Sequence, residues 1–216
     1  MKYNLFVFDW DGTLMDSEAK IISCMHSAIS DMDFEPRSNE QISNIIGLGF
    51  KEALTVLYPE HSKLYEKFVE QYRIYFLDES SEPSPLFSHV EPLLELLKKH
   101  DYFIAVATGK GRRGLNKVLN DTSLKHYFDI TRCADETFSK PNPQMINEIM
   151  DFVGVDANET IMIGDTEYDL NMANNAGCDS IAIAHGVHDV DRLKTCKPID
   201  IFQDIKELYT WVQSYH

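Results

Sequence analysis

Short, continuously apolar runs alternate with longer amphipathic stretches along most of this 216-residue chain. The runs span residues 5–8, 103–107, 161–163 and 181–184 and, more weakly, 128–130 and 199–202. Because they are apolar throughout, and not only at every second residue, we expect strands that are buried on both faces of a parallel sheet. Helical patterns accompany these runs at 90–99, 112–119, 143–152 and 205–212. The alternation predicts an α/β fold.

Residues 16–85 interrupt this alternation because they contain no convincing strand. Apolar residues recur there at helical spacing from 21 to 32, and we expect further helices at 40–46, 50–57 and 62–77. Two prolines fall in the stretch 80–88, which is typical of a linker. We therefore expect a Rossmann-like, doubly wound parallel sheet core formed by residues 1–15 and 86–216, with an inserted all-α cap domain at 16–85.

The chain is strongly acidic, with 20 Lys and Arg against 35 Asp and Glu and a formal net charge of −15. A nucleic acid or an anionic membrane surface would repel such a chain, so we expect neither as a partner. Its four cysteines form no Cys-x-x-Cys pair, and no uncharged stretch approaches the roughly 18 residues of a membrane helix. We expect a cytoplasmic protein that is a monomer or a weak homodimer. If its ligand is anionic, local cations or a metal must offset the negative charge of the chain.

Residues with reactive or charged side chains follow several of the predicted strands. In an open α/β sheet the ligand site lies outside the carboxyl ends of the strands, so these residues are expected to converge there. They are Asp9, Asp11, Thr108, Lys140, Asp165 and Asp169.

Asp9 and Asp11 lie two residues apart, so in extended chain both carboxylates can point the same way. Two like charges so close are costly unless a cation or a proton intervenes. A hard divalent metal such as Mg²⁺ would remove that cost, and Asp165 can supply a third oxygen ligand from another strand. Asp169 can steady the metal's waters or Lys140.

Four segments of the chain closely resemble the motifs of the haloacid dehalogenase-type superfamily. They are Asp9-Trp10-Asp11-Gly12-Thr13-Leu14, Thr108-Gly109, Lys140-Pro141 and Gly164-Asp165-Thr166-Glu167-Tyr168-Asp169. They occur in the family's order, and the resemblance covers nearly the whole chain. The placement of the cap after the first strand looks like the phosphoglycolate phosphatase-like branch.

The resemblance implies a Mg²⁺-dependent phosphatase that hydrolyses a small-molecule phosphate ester, either phosphoglycolate-like or a sugar phosphate. Asp9 would be the nucleophile and would form an aspartyl-phosphate. Asp11 would act as general acid toward the leaving oxygen and then as general base toward water.

The resemblance also implies how the metal and the phosphate are held. The Asp9 carboxylate, the Asp11 backbone carbonyl and Asp165 would bind Mg²⁺. The residues expected to hold the phosphoryl oxygens are Thr108, the Gly109 amide and Lys140. Asp169 would support them. The chain departs from the family at Gly109, where Asn is frequent.

Substrate specificity is expected to come from the cap and from the turn after the second strand. Candidates in the cap loop are Gly47 and Lys51. The cations after Gly109 either bind a second anionic group of the substrate or lie solvated on the next helix, and they are Lys110, Arg112 and Arg113.

Two loop histidines, His185 and His188, lie close together in the sequence without a third ligand nearby, which disfavours a metal site.

Three other functions compete with the phosphatase. A haloacid dehalogenase needs no metal and typically lacks an acid at the second position, so Asp11 argues against it. A sugar phosphomutase of the same superfamily stays open. A phospho-accepting signalling receiver domain combines similar groups, but it is shorter and does not carry its phosphorylated Asp on the first strand.

Overall fold

A computed structural model of the chain describes residues 2–216. Its central element is a sheet in which all paired strands are parallel, in the order β3-β2-β1-β4-β5-β6. The strands are β1 (Leu5–Phe8), β2 (Phe103–Thr108), β3 (Ile130–Cys133), β4 (Thr160–Gly164), β5 (Asp179–Ile183) and β6 (Asp200–Phe202). The chain builds one half of the sheet from β1 outward through β2 and β3, and then returns to the other side of β1 with β4. This arrangement places a topological switch point beside β1.

Helices flank the sheet and fill the segment between β1 and β2. They are α1 (Glu18–Asp31), α2 (Asn39–Ser43), α3 (Phe50–Leu57), α4 (Tyr65–Ile74), α5 (Val90–Lys99), α6 (Arg112–Asp121), α7 (Gln144–Val153), α8 (Glu167–Ala176), α9 (Val190–Thr195) and α10 (Ile205–Gln213). Shorter helical turns lie at Pro59–Leu64, Tyr75–Glu79, Leu124–Tyr127 and Ala157–Glu159. Within residues 2–216 no helix has both the length and the apolar character that crossing a membrane requires.

Both faces of the sheet are buried, as the apolar runs predict. In β1, Phe6 and Phe8 join one hydrophobic cluster, while Leu5 and Val7 join another on the opposite face. All four side chains are fully buried. Alternate residues of a strand point to opposite faces, so a run that is apolar throughout requires apolar partners on both sides. The prediction of an α/β, doubly wound parallel sheet is confirmed.

Helices α1 to α4 surround a hydrophobic cluster of their own, whose buried members include Met25, Leu54, Phe68 and Phe76. The chain leaves the sheet and returns to it side by side, because Met15 bridges to Leu86. This cluster is separate from those of the sheet, and its residues all lie within the segment for which the sequence predicts an all-α cap, apart from the partly buried Val187.

The third strand lies later in the sequence than the apolar pattern predicts. The expectation was 128–130, whereas β3 runs from Ile130 to Cys133 and pairs with β2. Thr131 and Arg132 stay half-buried in it, so the strand has no continuous apolar run. Its position depends on pairing with β2 and not on its own composition.

Candidate active site

The carboxyl ends of three adjacent strands bring the predicted residues together. Asp9 directly follows β1, Thr108 ends β2, and Asp165 directly follows β4. Because β2 and β4 are the two neighbours of β1 in the sheet, these residues lie along one edge. Asp9 and Asp165 are fully buried and Thr108 is 1% exposed, so the edge lies beneath other parts of the chain.

Lys140 lies between two carboxylates at this edge. Its Nζ is 2.7 Å from Asp9 Oδ1 and 2.6 Å from Asp169 Oδ1, and all three side chains are fully buried. Burial alone lowers the pKa of Lys140, but the two carboxylates outweigh it and raise that pKa above its ordinary value. The ammonium group therefore stays charged in a place where an unpaired one would not.

Asp169 contacts Lys140 and also caps a helix. Its Oδ2 accepts a hydrogen bond from the Thr166 backbone N–H at 3.1 Å, and its own backbone N–H donates to Thr166 Oγ1, which together form a capping box at the start of α8. Thr166 Oγ1 also donates to Asp169 Oδ2 at 2.7 Å. Both Asp169 oxygens thus have donors. The expectation that Asp169 steadies Lys140 agrees with this geometry.

Asp9 differs because neither of its buried oxygens receives a well-formed hydrogen bond. Burial raises the pKa of Asp9 well above its ordinary value; Lys140 lowers it, while Asp169 and Asp165 raise it further. A buried carboxylate with oxygens this poorly satisfied needs either a proton or a cation.

Asp165 is held in a fixed orientation by two donors. Thr13 Oγ1 donates to its Oδ1 at 2.6 Å, and the Val187 backbone N–H donates to its Oδ2 at 2.8 Å. Burial and the neighbouring Asp169 raise the pKa of Asp165 to about 7 despite these hydrogen bonds. Gly12 permits the close approach of this carboxylate, since a Cβ there would lie 2.8 Å from Asp165 Cγ.

The residues present fit a divalent cation. Oxygens of Asp9, Asp165 and Asp169 all lie within 4.8 Å of one another, and among residues 2–216 this is the one cluster of three such groups with that spacing. The raised pKa values of Asp9 and Asp165 reflect burial and mutual repulsion, which a hard cation would relieve.

The Asp11 carboxylate is not part of this cluster, although Asp9 and Asp11 line the same cavity. Ser17 Oγ donates to Asp11 Oδ1 at 2.6 Å, and Lys110 Nζ lies 2.9 Å from Asp11 Oδ2. The third carboxylate of the cluster is Asp169 instead. Nothing in the sequence around Ser17 signals this contact, because it depends on the fold of the turn after β1.

Gly109 lies where the cap loop touches the sheet edge. A Cβ at Gly109 would be 2.6 Å from the Leu48 carbonyl oxygen and 2.7 Å from the Gly47 carbonyl carbon. Gly47 has a φ of +99°. The cap loop thus fills the space that the family's frequent Asn side chain would need at position 109.

The predicted specificity residues have different surroundings. Lys110 pairs with Asp11, its side chain is 8% exposed, and it lies over the Phe76 ring at 4.3 Å, so it is not solvated. Arg112 instead binds Glu136 through two nitrogens, at 2.8 and 2.7 Å. It does not line the cavity that lies between the carboxyl ends of the strands and the helical segment. The exposed Lys51 also lies outside that lining. Lys51 lines a neighbouring cavity together with Gly109, whereas Arg112 lines neither of the two cavities. Arg113 is exposed.

The two loop histidines have structural contacts. His185 stacks on Phe87 with ring centroids 3.7 Å apart. His188 Nδ1 accepts a hydrogen bond from the Glu167 backbone N–H at 3.0 Å. Burial lowers the pKa of both rings.

A cavity of about 70 Å³ lies between the helical segment and the sheet edge formed by the carboxyl ends of β1, β2 and β4, which we call the catalytic edge. Asp9, Asp11, Thr108, Gly109 and Lys110 line one side of it. Residues of α1, the cap loop, α3 and α4 line the other, and Gly47 is among them. The arrangement can therefore hold a small molecule against the Asp9 carboxylate.

The chain is similar to proteins of one family. Residues 6–183 match the model of the haloacid dehalogenase-like hydrolases. A probable phosphatase IndB from Dickeya dadantii is 34% identical, with 93% of this chain and 91% of that protein aligned. A phosphoglycolate phosphatase from Aliivibrio fischeri is 30% identical, with 94% of each chain aligned. The crystal structure of a predicted phosphatase from Clostridium acetobutylicum superposes with a TM-score of 0.88 at 25% identity, over 98% of this chain and 99% of that one.

The family match spans most of the chain and includes all four motif segments. Two curated relatives at 30% identity or more cover nearly the full length. The chain belongs to the haloacid dehalogenase-like hydrolase family.

Proposed function

We propose that this protein is a Mg²⁺-dependent phosphatase that hydrolyses a small-molecule phosphomonoester through an aspartyl-phosphate on Asp9. The observation that carries the proposal is the buried Asp9 carboxylate, whose oxygens lack well-formed hydrogen bonds although it faces both Lys140 and the cavity. Lys140 contacts Asp9 Oδ1, so it is Oδ2, which has no donor, that keeps its lone pairs available for attack on phosphorus. The names of the two curated relatives support the reaction class.

In the first step an oxygen of Asp9 forms a bond to phosphorus while the bond from phosphorus to the ester oxygen breaks. Asp11 supplies the proton that the departing oxygen needs. In the second step water attacks the phosphorus, Asp11 takes the proton from that water, and the Asp9–phosphorus bond breaks to release inorganic phosphate. Ser17 and Lys110 hold the Asp11 carboxylate in place at the cavity wall.

Three groups are suited to bind the phosphoryl oxygens. The Thr108 hydroxyl and the Gly109 amide lie at the end of β2, and Lys140 provides a buried positive charge. Such donors stabilise the charge that spreads over the phosphoryl oxygens in the transition state. Asp169 positions Lys140 through the 2.6 Å contact.

Mg²⁺ would be held by the Asp9 carboxylate, the Asp11 backbone carbonyl and Asp165, and it would neutralise negative charge on the phosphate. Asp169 is less suited as a ligand, because its Oδ1 already pairs with the Lys140 ammonium group and its Oδ2 accepts two hydrogen bonds, whereas each Asp165 oxygen has a single neutral donor. Thr13 and the Val187 amide hold Asp165 ready for this role.

We further propose that residues 16–85 act as a cap domain that excludes water from the site. The contact of the cap loop with Gly109 and the hydrogen bond from Tyr168 Oη to the Asn44 carbonyl oxygen, at 2.8 Å, support a closed position over the edge of the sheet. The four free, buried cysteines support a cytoplasmic location, and the acidic composition disfavours nucleic-acid and anionic-membrane partners and so supports a small-molecule substrate.

The test is release of inorganic phosphate from a panel of phosphomonoesters, with Mg²⁺ and with EDTA. Asp9→Asn is expected to lower kcat by at least about 1,000-fold, since removing a nucleophile abolishes the covalent route. Asp16→Asn is the matched control, because Asp16 is exposed and lies close by in the sequence.

Three results would contradict the proposal. Equal turnover by the Asp9→Asn variant would exclude Asp9 as nucleophile. Phosphate uptake that stops after one equivalent would indicate a receiver domain. Isomeric sugar phosphates in place of free phosphate would indicate a phosphomutase.

A further inference from the structure

The cap side of the cavity is almost entirely apolar. Of the cap side chains that line it, only Tyr72 and Arg73 carry polar atoms, and the others include Ile21, Met25, Phe76 and Leu77. A leaving group bound here is therefore removed from water against apolar and aromatic surfaces.

Neither cation that lines the cavity is free to bind a substrate anion. Lys110 already pairs with Asp11 at 2.9 Å and lies over the Phe76 ring. Arg73 donates to Glu70 at 2.5 Å and lies 4.0 Å from Asp135. Both positive charges are thus compensated within the protein.

The charge of the site also disfavours further negative groups. When Asp9, Asp11, Asp165 and Asp169 are all ionised, their four carboxylates face only two ammonium groups, so the site carries two net negative charges, or one when Asp11 is protonated as the general acid. Mg²⁺ would add two positive charges and the phosphate dianion two negative ones, so the loaded site would still be negative in either state. A carboxylate or second phosphate on the leaving group would add negative charge in an apolar cavity with no unpaired cation, which is strongly unfavourable.

Building on the proposed phosphatase activity, we infer that the substrate is a phosphate monoester of a small, uncharged alcohol with an apolar body. Lys110 then acts as a positioning residue, because it holds Asp11 and does not bind the leaving group. Tyr72 offers the one neutral polar group on the cap side.

The test compares isobutyl phosphate with 2-phosphoglycolate, which have nearly the same shape but differ by one negative charge. We expect kcat/KM for phosphate release with Mg²⁺ to be at least about tenfold higher for isobutyl phosphate. Lys110→Met should lower kcat/KM for both esters by a similar factor and leave their ratio unchanged. A residue that binds the carboxylate would instead, when removed, lower the activity on 2-phosphoglycolate alone.

A positive control places a free cation in the cavity. Leu77 lines the cavity and is only half-buried, so Leu77→Lys is tolerable and should shift the ratio toward 2-phosphoglycolate. Leu77→Met, which adds no charge, should keep the preference for isobutyl phosphate.

A preference of the unaltered protein for 2-phosphoglycolate, or a selective loss of that activity in Lys110→Met, would overturn the inference and leave the phosphatase intact. Failure of every ester to give phosphate release that depends on Asp9 would overturn the proposed function itself, and the inference with it.

Discussion

Replacing Lys140 tests whether the buried charge cluster is organised around this ammonium group. In Lys140→Met the apolar side chain fills similar space, but Asp9 and Asp169 lose a cation at 2.7 and 2.6 Å. Breaking a fully buried ion pair by removing one partner typically costs 3–5 kcal/mol of unfolding free energy, so we expect about 4 kcal/mol at pH 8.

The loss should be smaller at lower pH. Burial raises the pKa of Asp9 well above its ordinary value, and without Lys140 that pKa rises further. As the pH falls, the Asp9 carboxyl therefore takes up a proton at a higher pH than an ordinary carboxyl does, which removes one uncompensated charge. We expect the cost at pH 5.5 to fall to about half of its value at pH 8.

The assay is urea unfolding in EDTA at both pH values, with the free energy extrapolated to water. Lys117→Met is the matched control, because Lys117 pairs with Asp121 at 3.2 Å while the two side chains are 40% and 59% exposed. That variant should cost no more than about 1 kcal/mol at either pH. If Lys140→Met costs as little as the control, or costs the same at pH 5.5 and pH 8, the reasoning about the buried cluster is refuted.

Gly109→Ala should lower kcat/KM about tenfold or more while the sheet stays folded, since the new Cβ would force the Leu48 carbonyl away; steady-state kinetics and circular dichroism check this. Burial raises the pKa of Asp165 to about 7. Between about pH 4 and pH 7 the metal-free folded protein therefore carries a proton on Asp165 that the unfolded chain has lost. The free energy of unfolding of the metal-free protein should accordingly fall as the pH rises from about 4 to 7. The Tm difference between Mg²⁺ and EDTA samples should therefore widen from pH 5 to pH 8, and calorimetry that finds it constant would count against metal binding at Asp165. Arg112→Gln should leave kcat/KM within about twofold and cost about 1 kcal/mol of stability in urea, because Arg112 pairs with Glu136 outside the cavity. With Mg²⁺ saturating, kcat/KM should rise as salt increases, since the chain's charge of −15 repels a phosphate dianion at long range.

The fold could be predicted wherever one strand's own sequence carries the signal. The runs at 5–8 and 103–107 correspond to β1 and β2 almost residue for residue, because strands buried on both faces admit few polar side chains. The prediction for the third strand, at 128–130, missed most of Ile130–Cys133 because this strand contains a polar residue. Arg132 forms a salt bridge with Glu148, so its position in the strand does not require an apolar side chain. The position of a half-buried strand such as β3 depends on its pairing with the neighbouring strand, here β2, and cannot be predicted from its own composition.

The site was predictable to the extent that its residues follow strands. Asp9, Thr108 and Asp165 end or follow neighbouring strands, so the topology of the sheet alone brings them together. The surroundings of Asp11 were not predictable in this way. Ser17 reaches its carboxylate from the residue before α1, and Lys110 reaches it from the turn after β2. No local sequence pattern encodes either contact.

The charge of the substrate is decided by the cap and not by the catalytic edge. With the proposed Mg²⁺ bound, the edge would have that cation and its own two ammonium groups against four carboxylates, so any additional anionic group of a substrate would need an additional cation. The helical segment lines most of the rest of the cavity, and its one cation there, Arg73, is paired with Glu70. Changes at cap positions such as Met25 or Leu77 can therefore alter which alcohol is released without disturbing Asp9 or Lys140. The same catalytic edge could in this way serve charged substrates in one relative and uncharged ones in another.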